Sequence, residues 1–404
     1  MRRLLMVSLA ACSLLLAAPA ARADEAQTSR SLLMGNIGAG KSPSIATDGA
    51  LLHVAFEHHG AIYFSTSADA GKTWGAAVQI SGKSAAAQLP KIAAGLDGSV
   101  DIVWQNTAAQ EHEGEIYFAR SGDSGKSWSE PSNVSNTPEH QSSEPAIAVG
   151  SDNSVNVTWV DGLSGAKCPD VYYCASTDGK NWSKREDVSN TPGVCSNPTI
   201  AIGADSAIHV AWADSSSGEE HPDIYYACKH DGAWSKIKNI SHSPRVSSHP
   251  SLACSAQNKF YLAWSDNSRK EKAADIWCAI SHTGGEFRKP LNISNSRGMS
   301  RQPVIAAGKA EYLAITWSDT SSTLTQDDIW ARTGIGEGFS NVLQLTLSKT
   351  GCLHPAVAIN DKRAFIVYEE QEQGESVIKG SILPITRAVG PAENVDQIHY
   401  GHER

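Results

Sequence analysis

Positive charge is scarce in this sequence. Its 34 Lys and Arg residues are outnumbered by 43 Asp and Glu residues, which gives a formal net charge of −9 over 404 residues. Proteins that bind nucleic acid or anionic lipid carry a surplus of Lys and Arg, so this composition argues against both as partners. No apolar run after Ala18 is long enough for a membrane-spanning helix. The cysteines show no CxxC-type spacing, and we predict neither a metal site nor a cofactor.

The first 23 residues have the pattern of a secretory signal peptide. Met1-Arg2-Arg3 is basic, Leu4–Ala18 is an apolar run too short for a membrane span, and Ala21-Arg22-Ala23 is a small-x-small cleavage site. We therefore predict a signal peptide over 1–23 and a periplasmic or secreted mature chain. A second interpretation is a lipoprotein cleaved before Cys12, but the apolar sequence continues past that residue, which favours the signal peptide.

Seven copies of one pattern fill most of the remaining chain. Each copy begins at a proline, and these prolines recur at intervals of about 50 residues. They are Pro43, Pro90, Pro145, Pro198, Pro250, Pro303 and Pro355. In the third copy, the apolar runs Ala146–Val149, Val155–Trp159 and Val171–Ala175 alternate partially and are separated by turn-forming residues, as short strands are. A weaker fourth run follows Trp182. The sequence predicts an all-β, seven-bladed β-propeller of four-stranded antiparallel blades over 24–390.

The seventh copy lacks an outermost strand of its own. The sequence after Val377–Ile382 is polar, and we predict a flexible tail over 391–404. Ser31–Ile37 lies before the first proline, where the other copies are preceded by the outer strand of their neighbour. We predict that this N-terminal strand pairs with Val377–Ile382 and closes the last blade, which removes an open sheet edge.

Two residue types recur at fixed places within the copies. An aromatic residue near the end of the second strand is predicted to be buried between blades, with Trp159, Trp212, Trp264 and Trp317 at equivalent positions. An acid opens the third strand in five copies, at Glu115, Asp170, Asp223, Asp275 and Asp328. Such acids suit either a cation-binding ring around the channel or caps that accept backbone N–H bonds within their own blade. Their recurrence favours caps.

The sharpest motif is S-x-D-x-G-x-[ST]-W, at the turn between the third and fourth strands. Its Ser and Asp suit hydrogen bonds to turn N–H groups, its Gly suits a positive φ, and its Trp suits the space between sheets. Two full copies and one shortened copy contain Ser67, Asp69, Gly71, Thr73 and Trp74; Ser121, Asp123, Gly125, Ser127 and Trp128; and Asp178, Gly179 and Trp182. The motif resembles the Asp box of sialidase-like (BNR repeat) propellers. In that family the box lies opposite the active site, so the resemblance implies a structural role for these residues in an exported bacterial protein.

The first copy also resembles the opening of a sialidase, in Lys41-Ser42-Pro43 and Asp48–Glu57. That family grips its substrate carboxylate with three arginines and carries an acid/base Asp on the first blade. Here Lys41 stands at the arginine position, and lysine does not reproduce a bidentate contact. The loop His58-His59-Gly60 contains no Asp. Sialidase domains usually have six blades, whereas this sequence has seven copies. The resemblance therefore covers the fold and fails at the chemistry.

A ligand site in a sevenfold repeat has to be built from residues that differ between copies. On the loops predicted to surround one end of the channel, the candidate ligand-binding residues are Lys41, His58, His59, Glu144, His249, Arg301 and His354. Glu219, Glu220, His221, Arg269 and Lys270 lie on neighbouring loops. No catalytic residue can be assigned from spacing.

Three hypotheses about function follow from these observations. The leading one is a non-catalytic propeller, a monomer, that binds a glycan or an envelope or extracellular protein through these loops. The second is a glycoside hydrolase of the sialidase type, or a polysaccharide lyase in which a His/Glu pair performs acid–base work. The third is a structural role in the cell envelope.

Export makes a disulfide plausible, because the periplasm and the extracellular space are oxidising. Cys168 and Cys195 lie on loops predicted to emerge on the same face, and we predict a bridge between them. Cys174, Cys228, Cys254 and Cys278 fall within predicted strands, where a buried thiol behaves as a small apolar side chain.

Overall fold

The structure is a computed structural model, and it describes residues 31–82, 86–107, 114–138, 140–163, 169–217, 221–270, 273–323 and 325–386. The side chains of residues 163, 269 and 270 are outside that description. The predicted signal peptide (1–23) and tail (391–404) also lie outside the described residues. Within these limits the chain contains no helix with the length and apolar character needed to cross a membrane.

The described residues form seven antiparallel sheets, as predicted, and we number them as blades 1 to 7. Two short strands precede blade 1: β1 (Leu32–Leu33) and β2 (Gly38–Ala39). Blades 1 to 3 contain β3 (Lys41–Thr47), β4 (Leu52–His58), β5 (Ala61–Ser67) and β6 (Val78–Gln79); β7 (Ala87–Ala94), β8 (Val100–Thr107), β9 (Gly114–Ser121) and β10 (Ser132–Asn133); and β11 (His140–Val149), β12 (Val155–Leu163), β13 (Asp170–Ser176) and β14 (Glu186–Asp187).

Blades 4 to 7 repeat this order, and a short 3₁₀ helix over Lys309–Glu311 lies in blade 6. Their strands are β15 (Cys195–Ile202), β16 (Ile208–Asp214), β17 (Asp223–His230), β18 (Ala233–Trp234) and β19 (Lys238–Asn239); β20 (Ser247–Cys254), β21 (Phe260–Lys270), β22 (Ala273–Ser281) and β23 (Leu291–Asn292); β24 (Ser300–Ala307), β25 (Tyr312–Asp319), β26 (Asp328–Ile335), β27 (Gly338–Phe339) and β28 (Leu343–Gln344); and β29 (Cys352–Asn360), β30 (Arg363–Glu372) and β31 (Glu375–Pro384).

The N-terminal segment closes the ring, as predicted. β1 pairs antiparallel with β31, with Leu32 opposite Ile382, and β2 continues along the same strand, with Ala39 opposite Val377. The innermost strands of successive blades pack against one another, and those of blades 7 and 1 do so as well. The last blade thus gains its outer strand from the start of the described chain.

The aromatic residue of each second strand forms the core between blades. Trp159, Trp212, Trp264 and Trp317 are all buried, which confirms the prediction. Further from the axis, the motif tryptophan of one blade packs on a third-strand ring of the blade before it. Trp128 meets Phe64 edge-on at 5.0 Å between ring centroids. The same contact recurs between Trp182 and Phe118, Trp234 and Tyr173, and Phe287 and Tyr226.

The Asp-box turns are held by their own side chains. Ser67 Oγ accepts the Gly71 N–H at 2.9 Å, and Asp69 accepts the Thr73 N–H at 2.9 Å and the Thr73 hydroxyl at 2.7 Å. Gly71 has a φ of +83°. The second and third boxes repeat this pattern around Asp123 and Asp178. These turns lie on the face that carries the turns between first and second strands, which we call the lower face.

The acids that open the third strands are caps. Asp170 accepts hydrogen bonds from the Ser189 hydroxyl at 2.7 Å and the Thr191 N–H at 3.2 Å, both within its own blade. Glu115, Asp223, Asp275 and Asp328 receive equivalent bonds. No cluster of His, Cys, Asp and Glu able to hold a metal ion occurs among the described residues. The hydrogen bonds that these five acids accept within their own blades confirm the capping interpretation.

A β-bulge precedes the proline of every innermost strand. In blade 1, Lys41 pairs with Glu57 and Ser44 with Ala55, so the inner strand holds one extra residue, as a bulge does. The residue before each proline has a φ near +50°, which is uncommon for residues other than glycine. These residues are Ser42, Leu89, Glu144, Asn197, His249, Gln302 and His354. The bulge leaves their side chains at the end of the channel opposite the Asp boxes, on what we call the upper face.

Candidate functional site

The upper face carries the loops that lead into each innermost strand and the turns between second and third strands. We define the channel mouth as Lys41, Glu144, His249, Arg301 and His354, together with the two buried acids Glu57 and Glu369. The first five are sequence-predicted ligand candidates, and they lie at the starts of innermost strands of five different blades. The two acids were not predicted.

The lysine at the sialidase-arginine position is already engaged in an ion pair. Lys41 Nζ lies 3.1 Å from Glu57 Oε1, and the Glu57 side chain is only 9% exposed whereas that of Lys41 is 52% exposed. The pair joins the first two strands of blade 1, because the two residues are direct partners in the sheet register. Lys41 therefore presents a charge to solvent while it neutralises a buried carboxylate.

Glu369 bridges the two blades that meet at the closure. Its Oε2 accepts the Ser42 N–H of blade 1 at 3.2 Å and lies 2.9 Å from His354 Nδ1. Its Oε1 accepts the Ser376 hydroxyl at 2.8 Å and the Gln371 amide at 3.1 Å. Burial by itself would raise the pKa of Glu369, but the bonds from His354, Ser376 and the Ser42 N–H outweigh it and lower the pKa. This carboxyl group is consequently ionised at neutral pH.

His249 and Arg301 come from blades 5 and 6. His249 Nδ1 lies 3.1 Å from Ser248 Oγ, and the Arg301 guanidinium makes two bonds of 2.8 and 2.9 Å to Asp327. The pKa of His249 is lowered, first by burial and then by the nearby charges of Arg301, His354 and Lys91. Its imidazole is therefore neutral at neutral pH.

Glu144 and Lys91 occupy the opposite side of the channel, in blades 3 and 2. Glu144 Oε2 accepts the Asn197 N–H at 2.5 Å, so its side chain reaches the innermost strand of blade 4. The Glu144 N–H donates to Gln105 Oε1 at 3.4 Å. Lys91 stands inside the ring and is accessible to solvent, yet the surrounding protein replaces much of the bulk water. This burial lowers the pKa of its ammonium, and Glu144 partly offsets the shift.

The remaining candidates lie further out on the upper face. His58 and His59 form the turn between the second and third strands of blade 1, with ring centroids 3.9 Å apart. Burial and His59 lower the pKa of His58, and Glu375 of blade 7 opposes that shift. His221 is described, whereas Glu219 and Glu220 and the side chains of Arg269 and Lys270 lie outside the described residues.

The predicted bridge between Cys168 and Cys195 stays a prediction, because Cys168 lies outside the described residues. Cys195 itself is buried, and its Sγ lies 3.3 Å from Asp214 Oδ2. Cys174 and Cys278 are buried as predicted, and Cys228 and Cys254 are half-buried.

The two buried acids can be found in the sequence by comparing one position between the seven copies. Both occupy the position directly after the second-strand aromatic residue, where the other blades carry Gln105, Val160, Ala213, Ser265 and Ser318. The aromatic residue and the polar residue two places on recur in the copies, whereas the residue between them varies and carries no repeat signal. Lys91 was missed for a related reason, because it follows the repeat proline and lies outside the loops that were searched.

Comparisons with known proteins identify relatives by fold only. No protein-family model matches this chain, and no curated protein matches it by sequence. Among solved structures, a PL25 ulvan lyase superposes with a TM-score of 0.61 at 12% identity, covering 90% of this chain and 98% of that one. The same lyase bound to -[GlcA(1-4)Rha3S]- superposes with a TM-score of 0.58, also at 12% identity and with the same coverage.

Two groups of glycosidases share the fold. The GH93 α-L-arabinofuranosidase of Fusarium graminearum has a TM-score of 0.53 at 12% identity, covering 88% of this chain and 98% of its own. The intramolecular trans-sialidase from Ruminococcus gnavus has a TM-score of 0.52 at 12% identity, covering 76% and 96%. This chain is therefore a seven-bladed propeller with the fold of the sialidase, arabinofuranosidase and ulvan lyase propellers.

Proposed function

We propose that this protein binds an acidic glycan at the channel mouth and acts there as a non-catalytic binding module. The observation that carries the proposal is the collection of basic side chains around one end of the channel, in a chain with a net charge of −9. Lys41, Arg301 and His354 come from different blades, and Lys91 lies inside the ring. Charges with a purely structural role would recur in every blade, whereas the position of Lys41 is basic only in blades 1 and 6, and that of Lys91 only in blade 2.

The state of the acids favours binding over hydrolysis. A glycosidase needs a carboxylic acid that keeps its proton near neutral pH so that it can protonate the leaving group. Glu369 has the opposite property, because four donors hold it ionised. Glu57 is bonded to Lys41. Both acids thus order the basic residues beside them, which suits a preformed binding site.

The neighbouring folds support the choice of ligand class. The lyase structure that covers 90% of this chain was solved with a glucuronate-containing, sulfated disaccharide. Uronates and sulfate esters are anions that Lys and Arg bind through charge-assisted hydrogen bonds. We therefore expect a uronate or a sulfated sugar rather than a neutral one.

The test is titration calorimetry of the mature chain with oligoglucuronate, a sulfated oligosaccharide and a neutral glucan of equal length. We expect binding of at least one acidic glycan, weakened by salt because exposed charges are screened. Arg301→Gln should weaken that binding several-fold. Lys72→Gln, in an Asp-box turn on the lower face, is the matched control and should leave it unchanged. Equal affinity for the neutral glucan, or no binding to either acidic glycan, would overturn the proposal.

A second candidate function, β-elimination by a polysaccharide lyase, rests on His249. A neutral imidazole beside a guanidinium is suited to removing a proton next to a uronate carboxylate that the guanidinium neutralises. The assay is the ultraviolet absorbance of the unsaturated product formed from a uronate polymer. An increase that is lost in His249→Gln but kept in His242→Gln would replace the binding-module proposal with this one.

A further inference from the structure

Lys91 occupies a repeat position at which the side chains lie along the channel wall, towards the innermost strand of the next blade. It directly follows the repeat proline. In blades 1, 4 and 5 the residue at this position is Ser44, Thr199 or Ser251. Each of these hydroxyls accepts a backbone N–H of the next blade's innermost strand, at 3.1 to 3.2 Å. Side chains at this position therefore run along the inner surface of the ring.

Blade 2 is the exception among the seven. The equivalent residues in the other blades are Ser44, Ala146, Thr199, Ser251, Val304 and Ala356, all uncharged. A hydroxyl in the place of Lys91 would continue the bonds between innermost strands, as Ser and Thr do elsewhere. Ala146, Val304 and Ala356 cannot make that bond either, so what sets blade 2 apart is the charge of Lys91, which is exposed to solvent.

The ammonium of Lys91 is available to a ligand. The other basic groups of the channel mouth have partners, since Lys41 pairs with Glu57 and Arg301 with Asp327. Within the described part of the chain, the Lys91 ammonium forms neither an ion pair nor a hydrogen bond. Glu144 of blade 3 opposes the lowering of the Lys91 pKa, and the charge of Lys91 contributes to the lowered pKa of His249 in blade 5.

We propose that Lys91 is the specificity-determining residue of this site, and that its ammonium binds the carboxylate or sulfate of a glycan whose acidic group projects into the channel. This inference rests on the proposed acidic-glycan binding. Lys91 lies beyond the bulge that contains Leu89, the mouth position of its blade, and therefore further along the innermost strand from the upper face. The ligand expected is a glycan with an acidic group at a chain end or on a short branch.

The test compares Lys91→Met and Lys91→Arg with the unchanged chain, using oligoglucuronate, a sulfated oligosaccharide and a neutral glucan. Lys91→Met keeps the length of the side chain and should reduce affinity for the acidic glycan at least tenfold. Lys91→Arg should restore affinity to within about threefold. The two acidic ligands separate carboxylate from sulfate recognition, and Lys72→Met is the control for a lost surface charge.

A pH profile separates binding from a structural effect. Burial lowers the pKa of Lys91, so the ammonium loses its proton at a lower pH than an ordinary lysine, and affinity should already fall as pH rises towards the usual lysine pKa of about 10.4. Arginine stays charged over that range, so Lys91→Arg should remove the decline. If the Lys91→Met variant binds as tightly as the unchanged chain, this inference is overturned and the proposed function is left intact. Failure of the unchanged chain to bind either acidic glycan would overturn both.

Discussion

Met34 fills a space next to Gly380 that an aromatic ring fills elsewhere in the propeller. The Met34 N–H donates to the Gly380 carbonyl at 2.9 Å, and a Cβ at position 380 would lie 2.4 Å from the Met34 sulfur. In the strand register, Gly380 corresponds to Phe64 of blade 1 and Phe118 of blade 2. The last blade therefore omits its own side chain at this point, and the N-terminal segment supplies one.

This relationship predicts coupled effects of two substitutions. Met34→Ala should lower the free energy of unfolding by about 2 kcal/mol, since the side chain is half-buried. Gly380→Ala should cost about 1–3 kcal/mol through overpacking against Met34 and the Ile366 carbonyl. In the Met34→Ala background, Gly380→Ala should cost less by at least about 0.5 kcal/mol. Denaturant unfolding measures all three, with Gly122→Ala, whose Cβ would meet no atom within 4 Å, as the neutral control. Additive losses would contradict the prediction.

The buried tryptophans give a matched pair. Trp212 Nε1 donates to Asp214 Oδ2 at 3.2 Å, whereas Trp264 Nε1 is buried and has no hydrogen-bond partner among the described residues. Replacing either residue with Ala should cost about 3–5 kcal/mol. Replacing each with Phe should cost about 1 kcal/mol more at Trp212, because only there is a hydrogen bond lost. Thermal unfolding of the two Phe variants measures the difference, and equal losses would show that this bond adds nothing.

The Asp boxes predict a dependence of stability on acid. Hydrogen bonds from the Thr73 N–H and hydroxyl lower the pKa of Asp69 to about 2, and those from Ser127 do the same for Asp123. The unfolded value is about 3.9. An aspartate whose pKa is lower in the folded than in the unfolded state stabilises the folded protein at pH values above the unfolded pKa. That stabilisation is lost as pH falls through about 4 towards 2. Asp69→Asn should lower the melting temperature at pH 7 and reduce its fall in that acid range.

Asp231 provides the control for this experiment. It lies at the corresponding turn of blade 4, where the Ser of the box is missing, and it pairs with His230 at 2.9 Å on an exposed surface. Asp231→Asn should change the melting temperature little at any pH. A change as large as that of Asp69→Asn would mean that surface charge, and not the box geometry, sets the acid response.

Sialidase activity is expected to be absent. Lys41 is paired with Glu57, and the His58-His59-Gly60 turn holds no acid that could protonate a leaving group. General acid catalysis alone contributes about 10²–10⁴ in rate. The measurement is turnover of a fluorogenic sialoside by the purified mature chain from acidic to neutral pH, with Lys41→Arg as a companion variant that should also be inactive. Turnover that disappears in Arg301→Ala would place an active site on blade 6.

The repeat made most of the fold predictable. The seven repeat prolines predicted the number of blades. The aromatic residues two places before Asp161 and Asp214 predicted the layer of side chains buried between blades, because that packing requires a large apolar side chain in every copy. The outer strands were harder to locate, since several contain only two paired residues, such as Val78–Gln79. A run that short has no measurable period.

The site was less predictable because it depends on exceptions to the repeat. His249 and His354 stand out in the sequence as exceptions to the repeat. Their positive φ values follow from the bulge and not from residue type, so no turn-forming residue indicates this backbone conformation. Glu57 and Glu369 lie within apolar strands, and their charges make sense only once Lys41 and the neighbouring blade are placed beside them. The contact between Ser42 and Glu369 joins residues 327 positions apart, and so leaves no local pattern in the sequence.

The hydrogen bond from the Ser42 N–H to Glu369 couples ligand binding at the channel mouth to closure of the ring between blades 1 and 7. That bond joins blades 1 and 7, so the binding surface is complete only while the ring is closed. A ligand that binds the closed form alone stabilises it by RT ln(1 + [L]/Kd), about 2.7 kcal/mol at a concentration of 100 Kd. Hydrogen exchange at the amides of Met34 and Gly40, which donate to the Gly380 and Ser376 carbonyls, should therefore slow as ligand is added, so that occupancy of the channel can be read from a segment that the ligand does not touch.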